Sequence, residues 1–69
     1  MTMSARNMIP GTVKEIKRGT VNSEVILEAE GGHEIVSVIT TNSVDRLGLE
    51  PGKKATAFIK ASSVMVIVD

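Results

Sequence analysis

Two short polar segments hold the residue types from which an anion site is built. Ser4-Ala5-Arg6-Asn7 stands near the start, and Lys60-Ala61-Ser62-Ser63 near the end. In extended chain, residues two apart project to the same side. Ser4 and Arg6 then aim a hydroxyl and a guanidinium at one spot. Lys60 and Ser62 do the same with an ammonium and a hydroxyl. If the two segments meet, two cations, two hydroxyls and nearby backbone N–H groups surround one volume. Such a set consists of donors, which suits an oxyanion. By spacing alone, ordinary surface charge at Arg6 and Lys60 and a turn at Ser62 is the commoner case, because short polar patterns recur by chance.

Other chemistry has little to work with. Cys is 0 and His is 1, which excludes a thiolate nucleophile and a multi-histidine metal site within one chain. His33 follows Gly31-Gly32 and reads as a solvated turn residue. Glu24, Glu28 and Glu30 share the polar face of one strand. There is no P-loop and no Gly-x-Gly-x-x-Gly. The expectation is a protein that is not an enzyme, has no catalytic residue and holds no metal cation directly. Lys+Arg 8 balance Asp+Glu 8, so the basic excess needed for general binding to nucleic acid or an anionic membrane is missing. No apolar run approaches the ~18 residues of a transmembrane helix. The first residues are too polar for a signal peptide. The expected location is the cytoplasm.

The elements that must position these groups read mostly as strands. Thr12 to Lys17 follows the punctuation of Pro10-Gly11 and ends at a turn, Arg18-Gly19. Thr20 to Glu30 alternates, with Val21, Ser23, Val25, Leu27 and Ala29 on one face and mostly polar groups on the other. Gly31-Gly32 supplies a hairpin turn, since glycine tolerates positive φ. Glu34 to Thr41 returns, with Ile35 and Ile39 on one face and Val36 and Val38 on the other. Asn42 to Gly48 reads as one short helix, with Asn42 as cap, Asp45 in the capping-box position and Gly48 as the left-handed terminator. Glu50-Pro51-Gly52-Lys53 is a turn, and Lys54 to Lys60 a strand. Val64 to Val68 is a continuous apolar run that reads as a last strand, buried on both faces.

Sixty-nine residues make one domain, residues 1–69. So short a chain buries only about 60% of its unfolded surface. Disulfides and thiolate metal sites are excluded, so self-association is the remaining source of stability. The two-faced strand Glu34–Thr41 and the apolar run at the end are the segments suited to meeting another subunit. The expected fold is all-β: a small five-stranded OB-like barrel with one short helix, its strands contributing to intersubunit contacts.

The words Ser4-Ala5-Arg6-Asn7, Gly11-Thr12-Val13, Leu47-Gly48-Leu49 with Pro51-Gly52-Lys53, and Lys60-Ala61-Ser62-Ser63-Val64-Met65 occur here in one order. In that order they resemble the molbindins, small molybdate-binding proteins made of a single Mop (TOBE-type) domain. The resemblance runs over essentially the whole chain. It implies a five-stranded OB-like barrel, a hexamer built as a trimer of dimers, and oxyanion sites at subunit interfaces. It implies molybdate or tungstate as ligand, with no organic cofactor, and a role in intracellular storage and buffering. Carried over, one site would use Ser4, Ala5, Arg6, Lys60, Ala61 and Ser62, with Thr40 and Ser43 adding hydroxyls or N–H groups from the same or a neighbouring chain. A second site, near the three-fold axis, would lie at Gly19, Thr20 and Val21. Met8-Ile9-Pro10 departs from the family's usual residues and removes a backbone donor at Pro10.

The chemistry of the donors agrees with that implication. Molybdate near neutral pH is a tetrahedral dianion with acceptors only. Hydrogen phosphate carries a proton that wants an acceptor. In a site of Ser, Thr, Lys and N–H groups that proton stays unpaired, at about 1–3 kcal/mol. Two other readings compete. A nucleic-acid-binding OB module needs aromatic platforms, and Phe58 is the sole aromatic residue. A purely structural assembly domain would bind anions incidentally and ignore molybdate in its melting temperature.

Overall fold

The computed structural model describes residues 6–69; the expected site residues Ser4 and Ala5 lie outside the described residues. Four strands and one helix follow in order: β1 (Asn7–Lys17), β2 (Asn22–Ala29), β3 (Glu34–Thr40), α1 (Thr41–Leu47) and β4 (Lys54–Ile59). A single 3₁₀ turn, Ala61–Ser63, comes after β4. The strands form one antiparallel sheet in the order β3-β2-β1-β4. It curls into a half-barrel, and its hollow is filled by Val13, Val25, Leu27 and Val44.

β1 serves two partners in succession. Asn7 to Thr12 pairs with β4, and Gly11 to Lys17 pairs with β2. Pro10-Gly11, expected to interrupt the chain, therefore lies inside the strand. Proline is tolerated there because Pro10 pairs with Thr56 on one side, while β2 pairing begins only at Gly11. A bulge between Val13 and Glu15 turns both Val13 and Ile16 inward, opposite Leu27 and Val25. In β2, Ser23, Val25 and Leu27 are buried as the alternation predicts, but Ile26, expected on the polar face, is buried as well. Val21 precedes the strand and is 70% exposed.

α1 closes one end of the hollow with Val44, the most buried residue it carries. Its cap is Thr40 rather than Asn42: Ser43 N–H donates to Thr40 Oγ1 at 3.0 Å. Asp45 is not part of a capping box, because it pairs with Arg18 at 3.0 Å. Gly48, at φ 64, ends the helix as expected. Its N–H donates to Asp45 O, and Leu49 N–H to Val44 O, the paired bonds that close a left-handed terminus. Lys53 Nζ adds 3.1 Å bonds to the carbonyls of Leu47 and Gly48.

The fifth strand expected at Val64–Val68 is not formed within the chain. Those residues lie outside any strand, and Met65 to Val68 are each at least 85% exposed. A strand needs a neighbour for its N–H and C=O groups, and among the described residues Met65 to Val68 pair with no strand. β3 and β4 remain the two edges of the sheet. An apolar cleft of about 490 Å³ opens at the half-barrel, lined by Ile35, Ile39, Leu49, Ala55, Ala57 and Ile59 among others. Val36 and Val38 are exposed on the other face of β3.

Candidate functional site

The register of β1 with β4 decides whether the two polar segments meet. The last pair is Asn7 opposite Ile59, and Asn7 Nδ2 donates to Ile59 O at 3.1 Å. One residue further out on each chain stand Arg6 and Lys60, both exposed. Lys60 is extended (φ −62, ψ 139) and precedes the 3₁₀ turn, which is held by Ser63 N–H to Lys60 O at 2.8 Å. Ala61 and Ser62 sit in that turn. A guanidinium, an ammonium and a hydroxyl thus share one corner of the sheet. The ion pairs among the described residues are Lys14–Glu34, Lys17–Glu24 and Arg18–Asp45. Neither Arg6 nor Lys60 belongs to one. Their exposure also fits the reading of these as ordinary surface charges.

Thr40 and Ser43 lie at the opposite pole. Thr40 pairs with Asn22 at the start of β2, beside the Lys17 end of β1. The 11 residues of β1 separate that pole from Arg6, roughly 35 Å of strand at ~3.3 Å per residue. One chain cannot bring Thr40 and Ser43 to the Arg6–Lys60 corner. They stand instead beside Gly19, Thr20 and Val21. Thr40 Oγ1 donates to Ser43 Oγ at 2.7 Å, and Arg46 Nη2 reaches the same oxygen at 3.4 Å. Thr41 Oγ1 donates to Gly19 O at 2.7 Å, which ties α1 to the β1–β2 turn. The chain therefore has two polar poles. One gathers Arg6, Lys60, Ala61 and Ser62. The other gathers Gly19, Thr20, Val21, Thr40 and Ser43.

Three residues at the second pole escape a reading by spacing: Ser23, Thr41 and Arg46. Ser23 carried a signal, since it is a hydroxyl on the apolar face of an alternating strand. It is 2% exposed, and its Oγ lies 2.6 Å from Thr41 Oγ1. Arg46 and Thr41 carried none, because their roles depend on how the helix docks. Gly19 is fixed by close approach: a Cβ there would stand 2.2 Å from Asn22 O.

Among the described residues no cluster of His, Cys, Asp and Glu is suited to a metal ion, and no helix is long and apolar enough to cross a membrane. Residues 3–66 match the family described as the TOBE domain. Molybdenum-pterin-binding protein 1 of Clostridium pasteurianum is 43% identical over 67 residues, 97% of this chain and 98% of that protein. A molybdate-binding protein from Sporomusa ovata superposes with a TM-score of 0.94 at 43% identity, covering 99% of this chain and 100% of its own. The molybdate-bound form of ModG, described as a cytoplasmic molybdate-binding protein, gives 0.92 at 52% identity over 94% of this chain and 46% of that one.

Proposed function

The chain belongs to the TOBE-domain family, in its Mop or molbindin branch, and on that premise we propose that it binds molybdate, and tungstate of the same shape and charge, at polar corners completed between subunits. It acts as a binding protein rather than an enzyme, storing and buffering the oxyanion in the cytoplasm as a single domain over residues 1–69. The observation that supports this reading is the β1–β4 register, whose last pair, Asn7 with Ile59, brings together the segments that carry Arg6 and Lys60, neither of them in an ion pair among the described residues. Ser4, Ala5, Ala61 and Ser62 supply hydroxyl and N–H donors around those cations. Thr40 and Ser43 reach that corner only from a neighbouring chain, for one chain holds them at its other pole. Gly19, Thr20 and Val21 form the second location.

The same geometry supports an oligomer. Among the described residues the half-barrel has β3 and β4 as edges and an apolar cleft, while Val64–Val68 is an apolar run paired with no strand. Exchange of this run between two chains supplies the fifth strand and closes both barrels. The exposed Val36 and Val38 then provide a face for joining such dimers, to a hexamer of three. The relatives are named for molybdenum-pterin, but the cleft is a poor pterin site. Its lining is mostly aliphatic, and Ser37 and Thr56 alone offer side-chain hydrogen bonds.

Calorimetric titration tests the ligand. Molybdate saturates the protein at micromolar concentration, and hydrogen phosphate at the same concentration releases no comparable heat. A flat molybdate isotherm overturns the reading.

A further inference from the structure

Resting on the second location just proposed, we infer that Ser23 and Thr41 are positioning residues which hold the Gly19–Val21 turn as a donor-presenting surface. The argument is a count of hydrogens. A hydroxyl has one proton to give. Thr41 Oγ1 gives its proton to Gly19 O at 2.7 Å. In the 2.6 Å contact between Ser23 and Thr41 the donor must then be Ser23. Ser23 Oγ, its own proton committed, accepts from Gly19 N–H at 3.4 Å. The result is a closed ring with one direction: Gly19 N–H to Ser23, Ser23 to Thr41, Thr41 to Gly19 C=O.

The ring is sheltered where it matters, since Ser23 is 2% exposed. Thr41 also gives its backbone N–H to Val21 O at 2.8 Å. One residue therefore engages the carbonyls of both Gly19 and Val21. Each of those two oxygens, which would repel a dianion, is thereby engaged by Thr41. Among the described residues, the N–H groups of Thr20 and Val21 donate to no backbone carbonyl. Gly19 N–H, by contrast, is consumed inside the ring. The turn therefore offers a guest the Thr20 hydroxyl and the Thr20 and Val21 amides, while Gly19 serves by permitting the tight approach to Asn22.

The test uses the full chain and the variants Ser23→Ala, Thr41→Val and Thr41→Ser. Hydrogen exchange of the Gly19 and Thr41 amides, which donate to Ser23 Oγ and Val21 O, is followed without ligand, and bound molybdate is counted by native mass spectrometry. Ser23→Ala and Thr41→Val each speed that exchange about tenfold, the ratio that one lost hydrogen bond sets. Both lose the molybdate held at the turn yet keep the one abolished by Lys60→Ala. Thr41→Ser, which retains the hydroxyl, restores wild-type values. Unchanged exchange in both hydroxyl-deleting variants overturns the inference, as does failure of Thr41→Ser to rescue. A global loss of fold in Ser23→Ala leaves the Thr41 pair to decide it. A wild-type chain that takes up no molybdate overturns the proposed function; the ligand-free exchange then still decides whether the ring holds the turn.

Discussion

Arg6 and Lys60 are like charges on neighbouring chain ends. In water two unit charges at 4 Å repel by only about 1 kcal/mol, so the fold tolerates them. A dianion between them reverses the sign of that term and adds charge-assisted hydrogen bonds at ~1.5–3 kcal/mol each. Arg6→Ala or Lys60→Ala should therefore weaken molybdate binding by about tenfold to a hundredfold, read by calorimetry, with melting in the absence of ligand nearly unchanged. Lys14 behaves differently. Its ammonium is hydrogen-bonded to the Glu34 carboxylate, which holds its pKa above the ordinary lysine value. A raised folded-state pKa stabilises below the unfolded value and is lost as pH rises through the folded one. Both side chains remain exposed to solvent, so the pair's effect on stability is small. Nuclear magnetic resonance should show Lys14 titrating above the ordinary lysine value, and Glu34→Gln should bring it back.

At the scale of elements, α1 is held by its ends. Seven residues are too few for a helix to persist alone. Thr40 caps one end, and Gly48 with Lys53 closes the other. Gly48→Ala puts a Cβ at φ 64 and 3.3 Å from Lys53 Nζ, which disturbs both the backbone and the lysine bonds. Chemical denaturation should find it less stable by about 1 kcal/mol or more. β2 is held by its inward face. Leu27→Ala removes a side chain that is 6% exposed and packs with Val13, Val25 and Val44. The expected loss is about 2–5 kcal/mol in the same measurement. Thr41 belongs to this scale too, because it fastens the helix start to the β1–β2 turn.

For the whole molecule, the exposed run Val64–Val68 is the feature a lone chain does not explain. Apolar side chains gain roughly 25 cal/mol per Å² on leaving water, and Met65, Val66, Ile67 and Val68 are almost fully open to it. On the proposed exchange of strands, a chain ending at Ser63 should fail to associate. Sedimentation velocity should then report a monomer of lower melting temperature, against a hexamer for the full chain. A truncated chain that still forms the full assembly would remove the exchanged strand from the proposal and move the contact to the outer face of β3.

The sequence by itself determined the local features whose causes are local. Alternation through Ser23, Val25 and Leu27 announced β2, Gly31-Gly32 its hairpin, and Gly48-Leu49 the helix end. The words around Arg6 and Lys60 pointed to a family, because they hold residue types in an order. Tertiary structure alone decided the rest. Pro10-Gly11 continues a strand instead of ending one, since β1 changes partner there. Thr40 takes the place of Asn42 as the cap, since the helix begins at Thr41, directly where β3 ends. Within one chain Thr40 and Ser43 sit at the Gly19 pole, away from Arg6. Each of these depends on which groups distant in the chain become neighbours, and that is settled by strand register and by the closure of a shared core, not by any pattern of adjacent residues.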